Sequence, residues 1–279
     1  MTARERRAFL KVTGSAAAGL AVGNATGVSG APPERGADRA LWISWYDLPD
    51  EGREVYLSWL HQSYMPAILK RPGVLWGTHY ASVPRGSMRT IRRDGKPDPR
   101  LDPALPTGDR YMLIFGAENT NVFGNPAPSA LHTALNEQGR KMLALRTGER
   151  VNIMAEAARV EGPEAKSYAG GMQLAPCIQL GNFNCAWQDE EDMLAWYAQS
   201  RMPATATLPG CIRTRKLASV SGWAKHAILY EFTSLESRNQ NYMKMEEGQP
   251  QAKAWADRIV PKLVHAPGSA TLATRIWPT

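Results

Sequence analysis

Residues 59–73 read WLHQSYMPAILKRPG, and residues 196–210 read WYAQSRMPATATLPG. Trp59, Gln62, Ser63, Met65, Pro66, Ala67, Pro72 and Gly73 recur as Trp196, Gln199, Ser200, Met202, Pro203, Ala204, Pro209 and Gly210, at a constant offset of 137 without a gap. Solenoid repeats recur every roughly 20–50 residues, so a period this long implies two tandem domains and not an array.

Both copies carry the same order of elements. In the first, 40–48 is a strand rich in Trp, Ile and Tyr. A helix is predicted over 50–70, with Tyr56, Trp59, Leu60, Ser63 and Ala67 along one face. Arg71-Pro72-Gly73 ends it, because a residue before proline avoids the helical region and glycine supports the turn. Strands follow at 74–83 and 111–117. A helix over 129–145 carries Leu131, Leu135, Gln138, Met142 and Leu145 as a stripe, and a strand at 151–160 closes the unit. In the second copy, 177–186 is the strand, and Asp189 is placed to cap a helix whose first turn (Glu190, Glu191, Asp192) suits the helix dipole. A hairpin joins 211–220 to 225–233, a second helical region ends near Val264, and 271–277 is the last strand.

Strand–helix–strand–strand–helix–strand, given twice, is the ferredoxin-like α+β unit. Each sheet keeps one face under its helices and needs cover for the other, so the two sheets are expected to pack face to face. The expected organisation is a first domain over 38–161, a Gly- and Pro-containing linker over 162–173 and a second domain over 174–279. The first domain alone carries a long basic insertion, 84–109, with Arg85, Arg89, Arg92, Arg93 and Arg100. It reads as a surface loop, with a lid or an oligomer contact as alternatives.

The N-terminus carries a separate signal. Arg6-Arg7-Ala8-Phe9-Leu10-Lys11 and the weakly apolar run after it read as a twin-arginine export leader over 1–31. That run is too short for a stable membrane anchor, and no cysteine follows to carry a lipid. The expectation is a periplasmic protein delivered by the export machinery. Pro32 hinders a cut at Ser29-Gly30-Ala31, which leaves cleavage after Gly30 or Ala25 open. The leader holds three of the seven net positive charges, so the remainder is mildly basic. A mild bias attracts a small anion but does not read as a nucleic-acid surface, and no motif of that kind occurs. Cys177, Cys185 and Cys211 fit no zinc spacing and read as buried structural thiols. No HExxH, no acidic ligand cluster, no nucleotide loop and no nucleophile elbow occurs, so no metal site is expected.

The helix motif Tyr56-x-x-Trp59-Leu60-His61, then Met65-Pro66 and Pro72-Gly73, resembles the dimeric α/β barrel superfamily, within it EthD-like and antibiotic-biosynthesis-monooxygenase-like proteins. The motif covers about fifteen residues per copy and the element order covers both halves, so the resemblance specifies a superfamily and not a reaction. It implies a ligand held between sheet and helices. Members include cofactor-free isomerases, cyclases and monooxygenases as well as haem enzymes such as dye-decolorising peroxidases and chlorite dismutases. Arg93-Asp94-Gly95 lacks the context of the peroxidase motif.

The second copy acts as a control for function, since residues shared by both copies serve the fold. It has Ala198 where the first has His61, and Arg201 where the first has Tyr64. His61 is therefore the candidate general acid/base, the alternative being a solvent-facing helix histidine. His79 and Tyr80 point to opposite faces of their strand, so one of them reaches the helices. With Tyr64 they are candidates to position a substrate oxygen. Trp42 and Trp76, with Trp45 and Tyr46, offer aromatic surface for a planar substrate or simply core. Arg213 and Arg215, beside Lys216, form a basic strand that either binds a carboxylate or phenolate or faces solvent. Glu118, Glu156 and Glu231 are candidate partners for a histidine. His132, His226 and His265 show no partner in sequence, and His226 is the candidate axial ligand if haem is bound. The expectation is a cofactor-independent enzyme acting on a small hydrophobic, aromatic or enolisable molecule, as a monomer or homo-oligomer. A haem-binding protein and a non-catalytic ligand-binding or assembly protein remain as alternatives.

Overall fold

The computed structural model describes residues 38–84 and 102–279. The export leader and the insertion's five arginines lie outside them. The described chain runs β1 (Ala40–Asp47), α1 (Arg53–Trp59), α2 (Met65–Leu69), β2 (Val74–Ser82), β3 (Tyr111–Ala117), α3 (Pro128–Thr133), α4 (Glu137–Leu143) and β4 (Thr147–Glu161). It continues through β5 (Cys177–Asn184), α5 (Glu190–Trp196), α6 (Met202–Ala206), β6 (Cys211–Ser221), β7 (His226–Phe232), α7 (Leu235–Asn241), α8 (Pro250–Ile259), β8 (Val264–His265) and β9 (Thr271–Trp277).

Eight strands close into an antiparallel barrel in the order β7-β6-β4-β1-β3-β2-β9-β5, with β5 returning to β7 and the short β8 added beside β5. The expected sheet-to-sheet packing as a dimeric α/β barrel is met in the barrel itself, whose two sheets are continuous and not separately stacked. The run β4-β1-β3-β2 joins the run β9-β5-β7-β6 along both edges, through β4–β6 and β2–β9. An open sheet edge leaves N–H and C=O groups unpaired, and joining the edges satisfies them while the same closure buries the inner faces.

Strand parity sorts the core. Leu41, Ile43 and Trp45 of β1, Trp76 and Tyr80 of β2, and Leu217 of β6 fill the barrel interior. Trp42, Tyr46 and Phe115 face outward beneath the first helices with Tyr56, Leu60 and Tyr64. Phe183, Tyr230 and Phe232 do the same beneath the second set, with Trp196 and Tyr197. Among the described residues no helix is long and apolar enough to cross a membrane. Cys177, Cys185 and Cys211 are free thiols, the first and last buried.

Three helical expectations change. The single helix over 50–70 is interrupted by a π-helical turn, Leu60–Tyr64, in which Met65 N–H donates to the Leu60 carbonyl five residues back. Tyr197–Arg201 is a matching π turn, closed by Met202 N–H on the Tyr197 carbonyl. Pro66 and Pro203 lack the N–H that an α turn needs and crowd the carbonyl four residues back, and the wider turn relieves both. The helix over 129–145 splits at Asn136, whose side chain accepts the Gly139 N–H at 2.8 Å and starts α4 anew. Asp189 does not cap α5. Its carboxylate lies 2.6 Å from Lys262 Nζ instead.

Candidate functional site

The π turn determines which side chains reach the first sheet. It carries His61 and Tyr64 on a widened stretch of helix, a device that often marks functional positions. Beneath it β2 turns His79 outward, fully buried, while Tyr80 on the opposite face enters the barrel. His61 Nε2 lies 2.8 Å from His79 Nδ1, and His79 Nε2 lies 2.9 Å from the Tyr46 hydroxyl. The Tyr46 ring meets the Tyr56 ring edge-on at 5.9 Å, and the Tyr56 hydroxyl accepts from Arg146 Nε at 2.6 Å. Arg146 is in turn paired with Glu149 at 2.6 Å. A polar chain thus runs from half-buried His61 through His79 to Tyr46, whose ring lies under a buried guanidinium. Rings hold it in place, with Trp277 stacked on His61 at 5.9 Å, Tyr46 and Tyr111 stacked on His79, and Arg146 lying 4.4 Å over the Tyr46 ring.

Protonation follows from burial. His61 has its pKa lowered by burial. That of His79 falls well below the usual range, through burial first and then the charges of His61 and Arg146. Both imidazoles are therefore neutral near pH 7. Burial raises the pKa values of Tyr46, Tyr56 and Tyr64, so their hydroxyls keep their protons and act as hydrogen-bonding groups, not as phenolate bases. Among the described residues no hydrogen bond engages His61 Nδ1. When His61 Nε2 donates to His79 Nδ1, and His79 Nε2 donates to Tyr46, the His61 Nδ1 lone pair stays free to take a proton. The imidazolium so formed keeps its Nε2–H on His79.

Tyr64, the second candidate on the turn, bonds His132 Nε2 at 2.9 Å and lies beside Arg146 rather than on the histidine pair. Tyr80 and Trp76 are both remote from the pair. The Tyr80 hydroxyl donates to the Ala175 carbonyl at 2.7 Å, and Trp76 Nε1 donates to Asp38 at 3.1 Å, both inside the barrel. Trp42 lies under the helices among Phe115, Phe123 and His132.

The basic strand does not face solvent. Arg215 is wholly buried, with Nη1 2.9 Å from Asp38 Oδ2 and Nε 2.6 Å from Glu156 Oε2. Arg213 Nε is 2.8 Å from Glu231 Oε1, an ion pair whose angle makes no hydrogen bond, and its Nη2 donates to the Gly171 and Gln173 carbonyls. Burial raises the pKa of Glu231 despite these arginines. For Asp38, Arg215 and Arg159 overcome a burial effect of the same sign and hold the pKa below the usual value. The chain's own carboxylates thus occupy the charges expected to bind an anion. Glu156 and Glu231 pair with arginines, not histidines.

Sequence reasoning missed Arg146, Glu149 and the hydroxyl role of Tyr46 and Tyr56. The one available signal was an arginine and a glutamate three residues apart between a helix and a strand. Packed side chains fill the space between sheet and helices on both sides, Trp42, Tyr46, Tyr56 and Phe115 on one and Phe183, Tyr197, Tyr230 and Phe232 on the other. His226, the candidate axial ligand, bonds Glu190 through Nε2 at 3.1 Å, and among the described residues its buried Nδ1 has no partner. Among the described residues no group of three or more His, Cys, Asp or Glu is placed to hold a metal ion.

No family model matches the sequence, and neither does any curated protein. Solved structures do match in fold. An anthrone oxidase-like protein aligns with a TM-score of 0.55 at 11% identity, covering 86% of this chain and 92% of its own. A candidate monooxygenase from Fusobacterium nucleatum gives 0.51 at 10%, covering 86% and 94%. The encapsulated DyP-type peroxidase from Mycobacterium smegmatis gives 0.50 at 12%, covering 88% and 96%. At these identities the likeness is one of fold alone, an α+β fold with an eight-stranded antiparallel barrel and outer helices, as in the dimeric α/β barrel proteins.

Proposed function

We propose that this protein is an acid/base enzyme that moves a proton on a small hydrophobic substrate, aromatic or enolisable, without a cofactor. The observation that carries the reading is the 2.8 Å contact between His61 Nε2 and His79 Nδ1, made by the first half alone. His61 Nδ1 takes a proton from an acidic C–H or O–H. His79, held by Tyr46, fixes the ring and accepts the Nε2–H of the imidazolium. Trp277, stacked on His61, offers a flat apolar wall beside the reacting nitrogen. Isomerisation, cyclisation, lyase chemistry and oxygenation all begin with such a step.

The test is solvent deuterium incorporation into a panel of cyclic ketones, quinols and phenolic ketones, read by proton NMR. Wild-type protein should exchange at least one member of the panel. His61→Gln should lower that rate about 10²–10⁴-fold, the usual contribution of a general base, with the fold unchanged by circular dichroism. Equal rates in the two proteins would overturn the assignment.

We also propose a tandem duplication and an exported, periplasmic location. In support of the first, β1 and β5, α1 and α5, the two π turns, α2 and α6, and β2 and β6 all begin at the same offset of 137. The second rests on Arg6-Arg7 and the apolar run after it. Replacing both arginines by lysine should hold the protein in the cytoplasm of a bacterial host, and unaltered export would refute it.

A further inference from the structure

We propose that Lys216 is a nucleophilic amine, at a second site in the other half of the barrel, that captures a small aldehyde or ketone as a Schiff base. Lys216 lies on β6, 137 residues after His79, so it holds in the second half the place that His79 holds in the first. It faces the helices and is only 5% exposed. Arg213 and Arg215, the neighbouring cations of the same strand, are each bound to a carboxylate. Lys216 is not. Among the described residues no hydrogen bond or ion pair engages its Nζ, and the nitrogen lies 5.4 Å from the centre of the Tyr197 ring.

The groups around it are suited to imine chemistry. In the β6–β7 register Ala218 lies opposite His226 and Lys216 opposite Ile228, so Lys216 and His226 are diagonal neighbours on one face. His226 Nε2 bonds Glu190 Oε1 at 3.1 Å, while its Nδ1 is buried with no partner. Glu190 of α5 is the carboxylate acting on Lys216, and it is already shared between His226 and Lys225, whose Nζ lies 2.6 Å from it. Phe183 of β5 forms an apolar wall, its ring 6.3 Å from Tyr197 and 6.0 Å from His226. Burial lowers the amine's pKa, Glu190 opposes that and Lys225 adds to it, so the neutral, nucleophilic form gains population.

The step balances without an oxidant or reductant. The nitrogen lone pair attacks the carbonyl carbon, a C–N bond forms, and the C=O π pair moves to oxygen. The ammonium proton passes to that oxygen. The hydroxyl then takes up a second proton and leaves as water while C=N forms, and loss of the last N–H proton gives the neutral imine. His226 and Glu190 relay the proton that is taken up and returned.

The probe is butanal with sodium cyanoborohydride at pH 7, the reduced adduct being located by peptide mass mapping of the full chain. A lowered amine pKa raises the neutral, nucleophilic fraction, so Lys216 should label faster than Lys225. Lys216→Met should abolish that adduct, Lys225→Met should leave it, and His226→Gln should slow it. Equal labelling of all lysines, or an unchanged adduct yield in Lys216→Met, would overturn the proposal. If Lys216→Met does not fold, the wild-type peptide map decides: Lys216 labelled ahead of the exposed lysines supports the proposal, and Lys216 labelled last or not at all refutes it.

Discussion

Replacing Tyr46 by Phe removes one oxygen from the polar chain and leaves its packing intact. The ring keeps its stacking on His79 at 6.0 Å and on Tyr111 at 5.9 Å, and Arg146 stays over its face. No cavity larger than the hydroxyl is made, so the cost is almost wholly polar. His79 Nε2, fully buried and 2.9 Å from that oxygen, loses its partner. An orphaned buried donor or acceptor costs about 1–3 kcal/mol. Urea unfolding at pH 7 measures this as a lower midpoint at an unchanged m-value. Deuterium exchange on the chosen substrate should also slow, because His79 no longer has a fixed tautomer to hold His61. A Tyr46→Phe protein within about 0.5 kcal/mol of wild type would show that this chain of bonds neither stabilises nor orients the histidine pair.

Two further outcomes are expected. Arg215→Met should destabilise by about 3–5 kcal/mol, because it leaves Asp38 and Glu156 buried with one cation fewer. Chemical denaturation checks it, and a cost below about 1 kcal/mol would mean that the network's remaining arginines suffice. His265 has its pKa pushed down to about 4 by burial, below the 6.5 of a free imidazole. Above pH 6.5 both folded and unfolded forms are neutral and the group contributes nothing. Between pH 6.5 and 4 only the unfolded chain takes up the proton, so stability falls with falling pH and then levels off. His265 keeps partial exposure, which limits the loss to about 1–3 kcal/mol. Melting temperatures at pH 7, 6, 5 and 4 should show this fall in wild type and less of it in His265→Gln.

The sequence made the elements legible wherever a local period carried the information. The limits read for β3 and β9, 111–117 and 271–277, coincide with the strands found, because alternation and flanking turn residues act over short range. The π turns were not legible, since a helical stripe survives one extra residue per turn. Only Pro66 and Pro203 hinted at them. Of the site, the two imidazoles stood out because the second half lacks them. Strand parity said that His79 and Tyr80 diverge without saying which enters the barrel. Arg213 and Arg215 were misjudged for a different reason. Their partners Asp38, Glu156 and Glu231 come from the segment before β1 and from β4 and β7, as many as 177 residues away, and such pairing leaves no trace in a local pattern. Arg146 fell in a turn-like stretch between α4 and β4, where nothing local marks a buried cation.

The most direct test of the central claim is long-range proton–nitrogen correlation NMR on nitrogen-labelled protein, following each imidazole from pH 8 to 5. The account predicts that His79 stays neutral, as a single tautomer, across the whole range, that His61 titrates below pH 6.5, and that His61→Gln changes the His79 Nδ1 shift. A His79 that titrates near pH 6.5, or that ignores the loss of His61, would contradict it.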